Sequence, residues 1–239
     1  MTPGVVGIVG GIGPESTIAY YRAIVAKVRA RNENAGYPRI IINSIDASAM
    51  LALIPQQRFD DLATMLAREV DALGRAGADF ALIAAGTPHL VFDDVRARTS
   101  VPLISIVEAT RDVAVGLRLR RLALLGTRFT MDATFYADAL ASAGIEVVAP
   151  PQNDRDYVHQ RYMTDLFSGD IPQSTREGIT AVVARMITAD HVDGVIVGGT
   201  ELFPLVEDFR RLGTAVLDTA DIHAEAAVDR LAALEKVGA

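Results

Sequence analysis

With 239 residues, half of them hydrophobic, the chain is long enough to bury a sizeable core in one large domain or two small lobes. A formal charge of −7 with no clustered Lys/Arg stretch argues against a nucleic-acid surface, because phosphate binding needs a basic footprint, and the expected partner is a small molecule. The absence of cysteine removes disulfides, thiolate metal sites and thiol acid/base pairs together, and lysine only at Lys27 and Lys236 leaves no obvious residue for a Schiff base to pyridoxal phosphate.

The predicted elements alternate along the chain. Strand Val5 to Val9 precedes a helix over 15–31, and strand Ile40 to Ile45 precedes one over 58–76. Strands Phe80 to Ala84 and Leu103 to Ile106 come before a helix over 108–117. Strand Leu122 to Leu125 is followed by a helix over 131–143, and strand Glu146 to Val148 by one over 175–189. Strands Gly194 to Val197 and Ala215 to Leu217 lead to a last helix over 219–235. Eight continuous apolar strands without polar alternation, separated by helices, predict an α/β fold of parallel sheets covered on both faces. None of the apolar stretches approaches the roughly 20 residues of a membrane span, and no charged-then-apolar leader opens the chain, so a cytoplasmic location without membrane contact is expected.

A degenerate repeat runs through these elements. Ile8-Val9-Gly10-Gly11, followed by Pro14, Thr17, Tyr20 and Tyr21, is echoed by Leu124-Leu125-Gly126-Thr127, followed by Thr130, Thr134 and Tyr136. Asp79 to Ala85 followed by Gly86-Thr87 is echoed by Asp193 to Gly198 followed by Gly199-Thr200. Two pseudo-symmetric lobes are therefore expected, the first over 1–103 plus 213–239, with the last strand and helix returning to it, and the second over 104–212. Ligands of open parallel sheets bind beyond the carboxyl ends of the strands, which places the expected site in the inter-lobe cleft.

Four small-residue turns follow strands: Gly10 to Thr17, Ala85 to His89, Gly126 to Thr130 and Gly198 to Glu201. Each offers backbone N–H groups and hydroxyls where a helix begins, which suits a carboxylate. The same residues also serve as ordinary helix caps and tight turns. Gly11, Gly13 and Ser16 approach the dinucleotide fingerprint, but the third glycine is missing and the first acid near the required place, Asp46, lies too far on. No Lys follows the glycines, so a nucleotide phosphate loop is not indicated.

The opening Gly7-Ile8-Val9-Gly10-Gly11-Ile12-Gly13-Pro14-Glu15-Ser16-Thr17 resembles the first strand, turn and helix of the aspartate/glutamate racemase superfamily. Thr87-Pro88-His89 is similar to that family's Cys-Asn-Thr-x-His motif, and Gly198-Gly199-Thr200-Glu201 to its Gly-Cys-Thr-Glu motif. The resemblance covers nearly the whole chain. It implies a site in the inter-lobe cleft, commonly a homodimer, and cofactor-independent inversion of an amino acid bearing a second carboxylate. In that family one thiolate removes the α-proton and the thiol on the opposite face delivers another. Here the first thiol position is Ala85 and the second Gly199, and Gly86 replaces the motif's Asn.

The ionisable groups available instead are Asp46, His89, Glu201, Glu15, His159 and Tyr162. His89 and Glu201 follow related turns of the two halves and form the expected acid/base pair, with helix packing as the alternative for His89 and first-turn stabilisation for Glu201. Asp46 ends the second strand and is a candidate for the substrate ammonium, or a turn cap. Gly11, Gly86, Thr87, Thr127, Thr130, Gly199 and Thr200 are expected to bind substrate, and Arg58, after Pro55 and Gln57, is placed to grip a distal carboxylate. The charged segment Pro150 to Ile171, with Asp154, Arg155, His159, Arg161 and Tyr162, reads as a lid or as a solvated loop with a short helix. His89, His159, His191 and His223 lie in separate segments without metal-ligand spacing, so no metal is expected, and the resemblance implies that no cofactor is needed. Asp60-Asp61 and Asp93-Asp94 read as solvated acids. The functional expectation is a racemase-family enzyme acting on a small carboxylate. The alternatives are a cysteine-independent lyase or isomerase, such as a decarboxylase, and a non-catalytic metabolite-binding protein.

Overall fold

The computed structural model describes residues 4–31, 36–168 and 170–237. The chain forms two compact units, Met1–Ser105 with His223–Ala239, and Ile106–Ile222.

The first unit runs β1 (Val5–Gly10), α1 (Pro14–Arg31), β2 (Arg39–Ser44), α2 (Ala47–Leu53), α3 (Phe59–Arg75), β3 (Phe80–Ile83), α4 (Phe92–Arg98) and β4 (Leu103–Ile104). Its parallel sheet has the order β2-β1-β3-β4. The central strands β1 and β3 are buried at every position, whereas the edge strand β2 alternates toward solvent. This difference is why β1 and β3 read as unbroken apolar runs. Helix α3 covers the sheet through Leu62, Leu66, Val70 and Leu73, a stripe at helical spacing packed with Met50, Ile83 and Val95.

The second unit contains α5 (Ile106–Gly116), β5 (Arg121–Leu125), α6 (Arg128–Asp132), α7 (Phe135–Ala141), β6 (Glu146–Val148), α8 (Gln152–Arg161), α9 (Gln173–Ala189), β7 (Gly194–Val197), α10 (Val206–Arg210) and β8 (Ala215–Asp218). Helix α11 (Thr219–Val237) starts in this unit and from His223 onward belongs to the first. The sheet order β6-β5-β7-β8 repeats that of the first unit, strand for strand. The repeat extends to single hydrogen bonds. Asp79, just before β3, accepts the Val5 amide at the start of β1 (2.7 Å), and Asp193, just before β7, accepts the Arg120 and Arg121 amides at the start of β5 (2.9 and 3.1 Å).

Three expectations are corrected. The last strand does not return to the first unit: β8 adds to β7 through pairs from Gly194↔Ala215 to Val197↔Asp218, and the Thr219 hydroxyl donates to the Val197 carbonyl at 2.7 Å. A short crossover through α10 places the next parallel strand on the same edge, the usual outcome for such connections. The helix expected over 131–143 is two helices, α6 and α7, because Ala133 turns extended (φ −84°, ψ 157°). The 150–171 segment, read as a lid or as a solvated loop with a short helix, has the helix but not the solvated loop over its described length. It forms α8 and a π-helical turn, Tyr162–Leu166, with Val158, Tyr162 and Leu166 in the core of the unit; Gly169 lies outside the described residues.

Candidate functional site

In each sheet the strand order reverses once, between β1 and β3 and between β5 and β7. The crevice beyond the carboxyl ends of the strands at such a reversal is where open α/β sheets hold ligands. The four small-residue turns stand at these two places, two in each unit.

In the first unit, Gly10 and Gly11 end β1. Gly11 has φ +82°, and a side chain there would run into the Ile45 carbonyl, so only glycine fits. Its N–H donates to Thr17 Oγ1 at 2.9 Å. That bond uses the amide locally, which corrects the expectation that Gly11 offers it to substrate. After β3, Ala85 places a buried methyl at the first thiol position, and Gly86 opens a 3-10 turn, Thr87–Val91. Thr87 is half-buried at the start of that turn.

His89, expected as half of the acid/base pair with helix packing as the alternative, is packed into the unit. It is 4% exposed, its ring stacks on Phe92 at 4.8 Å, and Nδ1 lies 3.0 Å from the Ala85 carbonyl, which makes that nitrogen a donor. Its backbone N–H donates to the Gly86 carbonyl at 2.9 Å. The His223 ring sits 6.0 Å away, with Nε2 donating to the Ile104 carbonyl and Nδ1 accepting from the Tyr20 hydroxyl, both at 2.9 Å. Burial, with His223 as a second cause, pushes the His89 pKa down to about 3, and burial holds His223 at about 4. At neutral pH His89 is therefore an uncharged group that braces the Ala85–Gly86 turn. Asp46 caps α2 by accepting the Ser48 amide at 2.8 Å, and the Ser48 hydroxyl first, then this amide, lowers its carboxyl pKa. Arg58 is exposed and donates to Asp61 at 2.7 Å. Glu15 is exposed in the first turn of α1.

In the second unit, Thr127 caps α6: its hydroxyl accepts the Thr130 amide at 3.3 Å and lies 3.2 Å from the Thr130 hydroxyl. Gly198 N–H donates to the Leu125 carbonyl at 2.7 Å, which draws the two turns together. Gly199, at the second thiol position, is followed by Thr200, whose hydroxyl donates to Glu201 Oε2 at 3.0 Å. The Tyr162 phenol donates to the same oxygen. Burial first, then the Glu201 charge, raises the Tyr162 pKa well above the usual phenol value, so it keeps its proton. His159 accepts the Arg128 amide at 3.2 Å, and its pKa is lowered by burial and by Arg128.

Thr127, Thr130, Thr200, Glu201 and Tyr162 thus gather at one reversal, and Thr87, Ala85 and Gly86 at the other. Asp218 is a residue that sequence reasoning passed over. It closes β8, is 7% exposed, and burial raises its carboxyl pKa while it accepts the Ala220 and Asp221 amides at 3.2 Å. An acid ending an otherwise apolar strand was the available signal. Among the described residues no three His, Asp or Glu side chains form a group that would hold a metal ion, and no helix is long and apolar enough to cross a membrane.

Comparison with known proteins agrees with this geometry. The sequence profile of the Asp/Glu/hydantoin racemases matches residues 9–227. A proposed Asp/Glu racemase from Yersinia pestis is 33% identical and superposes with a TM-score of 0.87 over 95% of this chain and 99% of that one. An aspartate racemase homologue from Pyrococcus horikoshii is also 33% identical, with a TM-score of 0.83 over 95% and 98% of the two chains. The broad-specificity amino-acid racemase RacX of Bacillus subtilis is 25% identical over 146 residues, an alignment that takes in 60% of this chain and spans only 63% of that relative's length.

Proposed function

The chain belongs to the Asp/Glu/hydantoin racemase family, and from that premise we propose that it carries out cofactor-independent chemistry at the carbon beside a carboxylate in a small amino acid or dicarboxylate. The observation that carries this reading is the placement of hydroxyl-bearing, small-residue turns at the strand-order reversal of both sheets. Thr87 with the Gly86 amide in the first unit, and Thr127 and Thr130 in the second, are the groups that hold carboxylate oxygens. They also stabilise the negative charge that accumulates on those oxygens when the neighbouring carbon loses a proton.

Racemisation requires a proton carrier on each side of that carbon. Ala85 and Gly199 cannot carry one, and Glu201 takes that role in the second unit. The methyl of Ala85 favours a second reading, one-sided chemistry of the lyase or isomerase type, which needs a single acid. Assembly as a homodimer is part of the same proposal.

The test is incubation with L- and D-aspartate and glutamate in deuterated water, without added cofactor, following the α-proton signal and the enantiomer ratio. Proton loss with inversion supports a racemase, and loss with retention supports the one-sided reading. Absence of exchange together with a ligand-dependent rise in melting temperature would replace both with a binding protein.

A further inference from the structure

The place left by the missing side chain at Gly199 is filled. A Cβ built on Gly199 would lie 2.5 Å from the Tyr162 phenol oxygen and 2.7 and 2.9 Å from two of its ring carbons. A side chain at 199 and Tyr162 in its present rotamer therefore exclude each other. The Gly199 backbone itself is extended (φ −140°, ψ 130°), a conformation open to any residue, so the tyrosine and not the backbone accounts for the glycine. Tyr162 opens the π-helical turn, in which Phe167 N–H donates to the Tyr162 carbonyl at 3.1 Å. Such wide turns re-aim a side chain and concentrate at functional sites. The ring is fixed in the core and packs edge-on against Phe167 at 5.6 Å.

Two donors converge on one oxygen of Glu201: the Tyr162 phenol and the Thr200 hydroxyl both bond Oε2. Oε1 has no hydrogen-bond partner among the described residues. A carboxylate pinned by one oxygen with the other free is the form a positioned base takes.

The geometry points to Glu201, held by Tyr162 in the space vacated at Gly199, as the group that takes and returns a proton of a substrate bound at the second-unit turns. Glu201 is the catalytic residue and Tyr162 a positioning residue. The inference rests on the function proposed above. In the step, Oε1 takes the proton from the C–H beside the substrate carboxylate. The C–H electron pair becomes the carbon–carbon π bond of the enediolate, and its charge settles on the carboxylate oxygens. The reverse movement returns the proton, or a deuteron acquired from solvent, to the same face. No oxidant, reductant or co-reactant is consumed. A single base that returns the proton to the face it came from gives exchange with retention.

The test measures α-proton exchange of aspartate and glutamate in deuterated water by the parent protein, Glu201→Gln, Tyr162→Phe and Gly199→Ala, each checked by circular dichroism and melting. Glu201→Gln is expected to lower kcat by about 100-fold or more. Tyr162→Phe should lower kcat by about 10-fold with little change in KM. Gly199→Ala, which displaces the ring without removing the phenol, should lower kcat in the same way, again with little change in KM. A parent that exchanges and a Glu201→Gln variant that exchanges equally well would overturn the inference while leaving the proposed function intact, as would a Tyr162→Phe variant with the parental kcat. A parent that exchanges no substrate overturns the proposed function. A substrate-free measurement separates the cases: the 13Cζ resonance of Tyr162 should move on Glu201→Gln substitution, and an unmoved resonance overturns the Tyr162–Glu201 assignment by itself.

Discussion

Gly11 and Gly199 both end strands, yet they are glycine for different physical reasons. Gly11 needs a positive φ and leaves no room beside the Ile45 carbonyl. Gly11→Ala is expected to destabilise by roughly 1–3 kcal/mol, read by denaturant titration. The need for glycine at Gly11 was legible from the Gly-Gly-x-Gly-Pro turn. The reason for Gly199 was not, because Tyr162 is 37 positions away in a segment with no strand signal, and nothing in the sequence announces that it reaches the strand end. His89 illustrates the opposite failure. A histidine after a strand-end turn reads as an acid/base group, but Phe92, His223 and Arg96 surround it and burial strips its charge. The consequence for stability has a definite sign. Between the folded values of about 3 and 4 for His89 and His223 and the unfolded value near 6.5, the unfolded chain binds more protons. Stability therefore rises with pH across that window and falls as acid is added, by up to about 1.4 kcal/mol per pH unit for each histidine. Chemical denaturation from pH 7 to 4 should show this slope, and replacing both histidines with Gln should flatten it.

At the scale of elements, the repeat could be read from the sequence because the same turn chemistry recurs after equivalent strands, and the structure carries it down to Asp79 and Asp193. These aspartates tie the start of β1 and of β5 to the strand beside each. Asp193→Ala leaves two amides at the start of β5 without their acceptor and should cost about 1–3 kcal/mol, seen as a lowered denaturation midpoint with unchanged slope. An unaltered midpoint would show that water replaces the carboxylate without loss. Continuous apolar runs gave the eight strands, whereas the short helix α2 escaped notice because its burial is narrow, Met50 alone. Without a wide apolar stripe, a short helix cannot be told from a polar loop.

Across the whole molecule, each unit contains one parallel sheet with one strand-order reversal, and the same kind of turn pair stands at both. The location of the last strand escaped the sequence reading because β8 is short and apolar, and periodicity says nothing about which sheet edge accepts such a strand. The turns themselves were legible as ligand-binding candidates, since glycine, threonine and a following helix start are local features. The surviving carboxyl group was only half legible: Glu201 stood out, but its two donors depend on tertiary placement. Binding of a small carboxylate at these turns is read out by ligand-dependent melting. Titration with aspartate, glutamate and simple dicarboxylates should raise the melting temperature by an amount that grows with the logarithm of ligand concentration once the site saturates, reaching about 2.7 kcal/mol of added stability at a hundredfold excess over Kd. Thr87→Val and Thr127→Val should each remove most of that rise. A melting temperature that no carboxylate moves, or a rise that persists undiminished in both threonine variants, would rule out carboxylate binding at these turns.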